Sequence, residues 1–381
     1  MGRWDTPERR TLRATVRAFS ERELVPNLAE WEEAGLVPLE VHRRLAEAGL
    51  LGIGFAEEVG GCGGSAVDAF IVAEEMILAG GSSGLVAALF THGIGLPHIV
   101  AAGDPALIDD VVRPVLAGEA IVALAVTEPE GGSDVAGLRT RAVPEGDHFR
   151  VTGSKLFITS AARANVVTTA VRTGGEGAGG ISLLAIDTAL PGVTVSAPLA
   201  KMGWRCSDTA EIRFDDVLVP AARLVGAEGS GFAQIAQQFV AERLSIAVSA
   251  YATAQRCLDL SLAWTRQRET FGRPLSSRQV VAHRLAEMAR EVDVARTYTR
   301  SVCDDWEDGA DVLMRVAMAK NTAVAACDRV VDDAVQLHGG MGYMRECEVE
   351  RHYRDSRILG IGGGTTEIMT EIVARLLLAS A

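Results

Sequence analysis

The order of the sequence patterns predicts an α+β fold with three consecutive domains: helical at residues 1–120, β at 121–230 and helical again at 231–381. Apolar residues recur at helical spacing in the first and last domains, whereas the middle domain has short β-prone runs between Gly and Pro turns. A chain of 381 residues is too long for one small core, so the domains are expected to share a large buried interior.

The first domain opens with a helix start. Thr6 is a suitable N-cap, Pro7 a suitable first helical residue and Glu8 an acid in the first turn. Apolar residues then follow at roughly helical spacing, at Leu12, Val16, Phe19 and Leu24 and again at Leu39, Val41, Leu45 and Leu50. The glycines of residues 59–65 predict a loop, and helical patterns resume from about 66 to 117.

The middle domain consists of short β-prone runs. They lie at residues 121–126, 149–153, 166–171, 181–186, 193–195 and 210–214. Gly or Pro turns separate several of them, as at residues 173–180, which is typical of a small antiparallel barrel or sandwich.

The last domain returns to long helical periodicity after Gly231 and keeps it to about residue 378. Gly or Pro interrupts the pattern at residues 272–274, 308–309, 339–342 and 360–364. These breaks predict several long helices that pack together.

The composition argues against several classes of function. The formal net charge of -13 disfavours nucleic acid or an anionic membrane as the main partner, because both need surplus cationic surface. The six cysteines are scattered without a C-x-x-C pair, which favours a reducing compartment over a disulfide scaffold or a zinc site. The chain shows no apolar signal core and no apolar run of about 18 residues. We therefore predict no metal site, no membrane span and a cytoplasmic location.

Five separated segments carry recognisable motifs: residues 49–53 with 57–61 (GLLGI and EEVGG), 125–135 (AVTEPEGGSDV), 153–159 (GSKLFIT), 266–272 (RQRETFG) and 336–343 (QLHGGMGY). Together they resemble the acyl-CoA dehydrogenase family, and they stand in the family's order. Each segment alone is a weak signal, but five in order on a helical–β–helical layout are specific. Residues 360–369 (GIGGGTTEIM) also look like the family's flavin-and-thioester loop.

The resemblance implies a more definite architecture and activity. It implies a central β-barrel domain and a C-terminal four-helix bundle, with FAD bound between them. The implied reaction is the FAD-dependent oxidation of acyl-CoA to trans-2-enoyl-CoA in fatty acid metabolism, with electrons passed to electron-transferring flavoprotein. It also implies a homotetramer, because segments of one subunit would complete the cofactor site of a neighbour.

Residues 127–134 read as a strand end followed by a loop rich in backbone donors, which a flavin ring and a pyrophosphate both need. The resemblance places Thr127 against the flavin ring, Ser133 near phosphate or substrate, and Thr159 near flavin N5. The resemblance also packs Phe157 on the flavin. The family often has Trp at this position, and Phe lacks the indole N–H donor of Trp. Without the resemblance, the plainer interpretations are a β-turn with an Asp cap and a buried core Phe.

A second set of cofactor contacts is implied partly across a dimer interface. The fork of an Arg matches a pyrophosphate bidentately, although a lone helix-end Arg is usually just solvated. The resemblance implies that a set of residues contacts the cofactor and, in part, the coenzyme. They are Arg268, Thr270, Phe271, Gln279, Gln336, Gly339, Gly340, Thr365 and Glu367. His338 is not predicted to bind a metal, because no second ligand stands at suitable spacing.

The position of the catalytic base decides whether the chain can be a dehydrogenase. Many family members carry a glutamate where this chain has Gly363, whose N–H is still expected to polarise the thioester oxygen. Long-chain and isovaleryl-type members carry the base in the first long helix after the barrel, directly before an Arg, and Glu242 with Arg243 matches that placement. We predict Glu242 as the base, with a pKa raised by burial. The alternative is two ordinary charged positions on a long helix.

The substrate contacts and the competing functions follow from the same segments. Arg243 is expected to turn away from Glu242 and to contact the coenzyme A part, because adjacent helical residues do not share a face. Gly362 and Gly363 replace larger side chains, which predicts a wider acyl pocket. The alternatives are a dehydrogenase of acyl groups tethered to a carrier protein, a flavin monooxygenase of the same fold and a non-catalytic binding protein. Glu242 argues against the monooxygenase, and the intact flavin segments argue against the binding protein.

Overall fold

The computed structural model describes residues 2–379 and shows helices, then a sheet, then helices. The N-terminal helices are α1 (Pro7–Phe19), α2 (Leu28–Ala34), α3 (Leu39–Glu47), α4 (Ala66–Leu78), α5 (Ser83–Leu89), α6 (His92–Gly95), α7 (Pro97–Ala102), α8 (Pro105–Leu107) and α9 (Arg113–Leu116). The predicted start of α1 is confirmed, because the Arg9 N–H donates to Thr6 Oγ1 at 3.3 Å and Pro7 takes the first helical position.

The middle of the chain forms one curled seven-stranded sheet. Its strands are β1 (Val122–Ala125), β2 (Arg141–Glu145), β3 (His148–Thr159), β4 (Val166–Arg172), β5 (Ile181–Asp187), β6 (Val193–Val195) and β7 (Thr209–Pro220). They lie in the order β1-β4-β2-β3-β7-β6, with β5 also paired to β4. The antiparallel prediction is wrong at two pairs, since β1 and β2 both run parallel to β4. The chain between β1 and β4 carries the β2–β3 hairpin and acts as the crossover that a parallel pair requires.

The C-terminal part is a helical bundle. It contains the short pair β8 (Glu269–Thr270) and β9 (Arg273–Pro274) and the helices α10 (Gly231–Gln267), α11 (Gln279–Glu307), α12 (Leu313–His338), α13 (Glu348–Ser356) and α14 (Thr366–Ala379). All four predicted breaks fall between these helices. Helix α10 packs against α4, α11 and α12, and α12 packs against α14.

One buried cluster joins the N-terminal helices to the bundle, with Ile71, Tyr251 and Val324 among its members, and a second cluster fills the sheet. Of the described helices, none by itself has the length and apolar composition to cross a membrane. The pair Ser83–Leu89 and His92–Ala102, bent by 61°, passes that test of length and composition only when taken together. Within residues 2–379, no group of three or more His, Cys, Asp or Glu side chains is arranged to hold a metal ion.

Candidate active site

Glu242 is half-buried beside the glycine loop, which we define as residues 360–364. Glu242 lies about three turns into α10. Its Oε2 atom is buried and has no hydrogen-bond partner within the described part of the chain. A Cβ atom built on Gly363 would lie 3.4 Å from Glu242 Oε1. The two base positions compared in the sequence therefore face each other, one on a helix and one on a loop.

The surroundings of Glu242 hold its pKa near neutrality. Burial raises the pKa of Glu242 to about 7, although the charges of Arg243 and Lys320 act to lower it. A carboxyl group with that pKa is well suited to accept a proton at neutral pH. Buried polar groups in a purely structural role are normally hydrogen-bonded, so the unpartnered Oε2 favours a chemical role.

The glycine loop makes a turn that only glycine adopts easily. The φ angle is +64° at Gly363 and +96° at Gly364, in the left-handed region that strains residues with a Cβ atom. The Gly362 N–H donates to the carbonyl of Ile358 at 2.9 Å, whereas the Gly363 N–H donates to no acceptor within residues 2–379. The Gly363 N–H therefore remains able to donate to a substrate oxygen, and that it does so stays a prediction.

The start of α14 continues from this loop. Thr365 Oγ1 accepts the backbone N–H of Ile368 at 3.3 Å, so Thr365 caps the helix. Glu367 is exposed in the first turn. Both residues thus lie directly after the glycine loop. Their contacts with the cofactor or the coenzyme stay predictions.

Arg243 holds the glycine loop, which the sequence did not predict. Its side chain is buried, and Nε donates to the carbonyl oxygen of Gly363 at 3.1 Å. The guanidinium also lies 5.6 Å from the centre of the Phe239 ring. Arg243 therefore does not simply turn away from the site, because it contacts the loop that faces Glu242. A contact of Arg243 with coenzyme A stays a prediction.

Lys320 is a site residue that the sequence analysis missed. It is fully buried on α12, and Nζ donates to the carbonyl oxygen of Gly364 at 2.5 Å. Burial, together with Arg243, lowers the pKa of Lys320 to about 8 against the opposing charge of Glu242. The signal was available in the helical period, because Val316 and Val324 place Lys320 on the apolar face of α12.

The two predicted flavin segments lie side by side. The Leu156 N–H donates to the carbonyl oxygen of Thr127 at 2.9 Å, which joins the turn of residues 127–134 to β3. The register of β3 with β7 shifts between Lys155 and Ile158, and Phe157 in that bulge has φ +60° and is 63% exposed. The alternative that Phe157 belongs to the core is therefore wrong. Thr159 follows at the end of β3, half-buried.

The turn beside Phe157 offers backbone donors. The N–H groups of Gly132, Ser133 and Asp134 donate to no acceptor within residues 2–379, and Ser133 is exposed. Asp134 also accepts the Gly137 N–H at 3.2 Å, so the plainer interpretation of an Asp cap describes part of the same turn. An exposed aromatic ring next to such amides fits the face and polar edge of a flavin.

Beneath that turn lies an ion pair that the sequence analysis also missed. Glu128 accepts hydrogen bonds from Lys155 Nζ at 2.8 Å and from the N–H groups of Arg139 at 2.6 Å and Thr140 at 2.8 Å. Burial acts to raise the pKa of Glu128, but Lys155 and these N–H groups leave it lowered. The alternation of side chains along β3 could have found this pair. Lys155 is four residues after the buried Val151, so both side chains are expected on the inner face of the sheet.

Four of the predicted cofactor residues lie together at the far end of α10. Arg268 and Gln279 are exposed at the ends of α10 and α11, and Phe271 is 97% exposed with φ +52°. The Arg278 side chain donates to the carbonyl oxygen of Thr270 at 2.6 Å and covers the Phe271 ring at 5.2 Å. This patch lies about 38 Å along α10 from Glu242, at 1.5 Å per residue.

The predicted cofactor segment at the end of α12 lies next to the patch at the end of α10. Trp264 Nε1 donates to the carbonyl oxygen of Leu337 at 3.2 Å, and the Trp264 and His338 rings stack at 5.2 Å. These contacts join the end of α10 to the end of α12, where Gln336, Gly339 and Gly340 are exposed. His338 shares a hydrogen bond of 2.7 Å with the Ala334 carbonyl and stacks on Trp264, which is a packing role.

The fold, the enclosed carboxyl group and the aromatic beside an amide-rich turn define a flavin-dependent oxidoreductase. Family models of the acyl-CoA dehydrogenase N-terminal, middle and C-terminal domains match residues 6–119, 123–217 and 229–378. The chain therefore belongs to the acyl-CoA dehydrogenase family, whose members use FAD to dehydrogenate acyl-CoA.

Individual relatives match over nearly the whole chain. A probable acyl-CoA dehydrogenase of Bacillus subtilis is 37% identical over 98% of both chains. The long-chain specific mitochondrial acyl-CoA dehydrogenase of Sus scrofa is 37% identical over 95% of this chain and 85% of that one. Among solved structures, a probable acyl-CoA dehydrogenase from Mycobacterium abscessus is 65% identical with a TM-score of 0.98, over 98% of this chain and 100% of that chain. A glutaryl-CoA dehydrogenase from Mycobacterium smegmatis, solved in complex with FADH2, is 27% identical with a TM-score of 0.92, over 99% and 96% of the two chains.

Proposed function

We propose that this oxidoreductase converts acyl-CoA to trans-2-enoyl-CoA with Glu242 as the base that takes the α-proton. One observation carries the proposal: the half-buried Glu242, whose enclosed Oε2 has no hydrogen-bond partner within residues 2–379, faces the loop that presents the Gly363 N–H. A flavin monooxygenase would not need such a base.

The proton transfer depends on polarising the thioester carbonyl. The α-hydrogen of an acyl thioester is too weakly acidic to leave at neutral pH without that help. The Gly363 N–H is available to donate to the thioester oxygen, and a preorganised donor of this kind contributes roughly 3–4 kcal/mol. The loop is held at Gly363 O by Arg243, so the donor is in place before the substrate arrives.

The residues of the sheet domain fit FAD, which when bound supplies the acceptor for the β-hydride. Phe157 offers a face for the flavin ring, and the free amides after Gly131 offer donors for its polar edge or for phosphate. Thr127, Ser133 and Thr159 flank the same surface. Glu242 then receives the proton while the substrate lies between this surface and the glycine loop.

We propose a homotetramer, built as a dimer of dimers, in which the far end of α10 serves a neighbouring subunit. The patch with Arg268, Thr270, Phe271 and Gln279 lies too far along α10 to share a flavin with Glu242 of the same subunit. Phe271 and Tyr343 are 97% and 83% exposed, which is expected of residues that a partner covers. Gln336, Gly339 and Gly340 would join Arg268 on the neighbour's cofactor.

We propose that the electrons pass to electron-transferring flavoprotein in the cytoplasm. A solved structure named for an electron-transferring flavoprotein of Acidaminococcus fermentans matches this chain with a TM-score of 0.94 and 29% identity, which supports the link. The curated relatives are named for coenzyme A substrates, which favours coenzyme A over a carrier protein as the thioester. The long-chain relative favours a long acyl chain as the substrate.

The proposal is tested on the purified FAD-loaded enzyme without oxygen. A panel of acyl-CoAs from short to long is added, and the flavin absorbance is followed. Bleaching by an acyl-CoA, with trans-2-enoyl-CoA as product, is the expected result. Bleaching only by acyl groups on a carrier protein would support the carrier-linked alternative, and no bleaching by any thioester would contradict the proposed function.

A further inference from the structure

Lys320 places a buried positive charge behind the glycine loop. Within residues 2–379 the one hydrogen-bond acceptor of its ammonium group is the carbonyl oxygen of Gly364, at 2.5 Å, and Lys320 is fully buried. A buried ammonium group carries a large desolvation cost, and one in a structural role is normally paired with a carboxylate, as Lys155 is with Glu128. Lys320 instead donates to a backbone carbonyl, which indicates a role beyond packing.

Lys320 and Arg243 hold two consecutive carbonyls of the loop. Arg243 Nε donates to the carbonyl oxygen of Gly363 at 3.1 Å, and Lys320 holds that of Gly364. Upstream, a backbone hydrogen bond of 2.9 Å from Gly362 holds the loop. A glycine-rich segment without such anchors has wide conformational freedom. The peptide that carries the Gly363 N–H is therefore fixed by groups on both sides.

The charge of Lys320 also acts on Glu242. Lys320 from α12 and Arg243 from α10 both favour the ionised carboxylate, against the effect of burial. The glycine loop carries no charged residue, and Glu367 of α14 is exposed to solvent. Lys320 is thus one of the two cations that oppose protonation of the proposed base.

We propose that Lys320 is a positioning residue of the dehydrogenation site. It orients the Gly363 N–H through the Gly364 carbonyl, and its charge keeps Glu242 in the form that accepts a proton. The inference rests on the proposed function of Glu242. Lys320 itself acts through the loop and through its electric field.

The experiment compares FAD-loaded Lys320→Met, Lys320→Arg and a matched control, Asn321→Ala. Asn321 is the next residue of α12, and its uncharged side chain donates to the carbonyl oxygen of Thr366 at 3.0 Å and to Thr370 Oγ1 at 3.3 Å, both on α14 and not on the glycine loop. The first readout is the infrared carbonyl frequency of a bound acyl-CoA whose β-carbon is replaced by sulphur, so that it cannot give a hydride. The second is the pH profile of flavin reduction by an acyl-CoA.

We expect Lys320→Met to weaken the shift of the thioester carbonyl to low frequency and to slow flavin reduction roughly 10- to 100-fold. The midpoint of its pH profile should rise above that of the wild type, because a cation that stabilises the carboxylate is removed. Lys320→Arg should restore both readouts in large part, and Asn321→Ala should match the wild type. If Lys320→Met does not fold, Lys320→Gln takes its place with the same expected directions.

Two failures are distinguishable. A neutral variant at position 320 with the wild-type carbonyl frequency and midpoint would overturn the role of Lys320, whatever its thermal stability. A wild-type enzyme that no acyl-CoA reduces would instead overturn the proposed function.

Discussion

Glu128 is a buried glutamate and Glu242 a half-buried one, and the two carboxyl groups have opposite surroundings. Glu128 accepts three hydrogen bonds, one of them from Lys155, and its pKa is lowered. Glu242 has an enclosed oxygen without a partner, and burial raises its pKa to about 7. The charge of a buried lysine acts on each glutamate, Lys155 on Glu128 and Lys320 on Glu242. Lys320, however, donates its hydrogen bond to the glycine loop and not to Glu242. Full hydrogen bonding marks the carboxylate that holds structure, and missing hydrogen bonds mark the one available for chemistry.

The largest expected effect separates the two glutamates by activity. Glu242→Gln should keep FAD but lose acyl-CoA-driven flavin reduction by several orders of magnitude, as expected when a sole base is removed. Glu128→Gln should keep measurable reduction, because Glu128 only supports the flavin turn. Anaerobic stopped-flow absorbance measures both rates. Reduction of Glu242→Gln at the wild-type rate would place the base elsewhere.

The next effect concerns whether the catalytic glutamate can be transferred by substitution from position 242 to position 363 of the glycine loop. Glu242→Gly with Gly363→Glu should remain nearly inactive, because a Cβ on Gly363 would lie 2.7 Å from Ile246 Cδ1 and the backbone there has φ +64°. Adding Ile246→Ala should recover roughly 10- to 100-fold in reduction rate, since even a small misplacement of a catalytic group is costly. The matched control is Ile246→Ala alone. Equal recovery without the Ile246 change would show that the loop accepts a side chain as it stands.

A third effect tests the structural role of Glu128 and its ion pair with Lys155. Lys155→Met leaves Glu128 buried and charged without its cation, which is expected to destabilise the sheet domain by about 3–5 kcal/mol. Glu128→Gln with Lys155→Met should recover part of that loss, because no buried charge remains. Thermal unfolding followed by circular dichroism and FAD release measures it. Equal Tm values for the single and double variants would show that charge burial is not the cause.

The smallest effect is a difference in pH dependence of stability. The folded pKa of Glu242, about 7, lies above the ordinary value of 4.5, so between these pH values the folded state binds more protons than the unfolded state. The wild type should therefore lose stability as pH rises from 4.5 to about 7, and Glu242→Gln should not show this contribution. The Tm of Glu242→Gln minus that of the wild type should grow over this window and then stay level. Glu128 has the opposite sign, because its lowered pKa makes its contribution disappear as pH falls.

The sequence predicted the architecture better than the partners of the buried charges. The order of domains, the four helix breaks and the pairing of Glu242 with Gly363 follow from periodicity, glycine placement and the family segments. Lys320 and Gly364 lie 44 residues apart, and Lys155 and Glu128 lie 27 apart, so their contacts depend on how separate elements pack. The same holds for the parallel pairing of β1 with β4, which local patterns do not encode.

Proton abstraction by Glu242 is tested most directly without hydride transfer. An acyl-CoA with sulphur in place of the β-carbon is incubated in D2O with FAD-loaded wild-type enzyme and with Glu242→Gln, and deuterium at the α-carbon is measured by NMR. We expect exchange with the wild type and none above the uncatalysed rate with Glu242→Gln. Equal exchange in the two enzymes would contradict the assignment of Glu242 as the base.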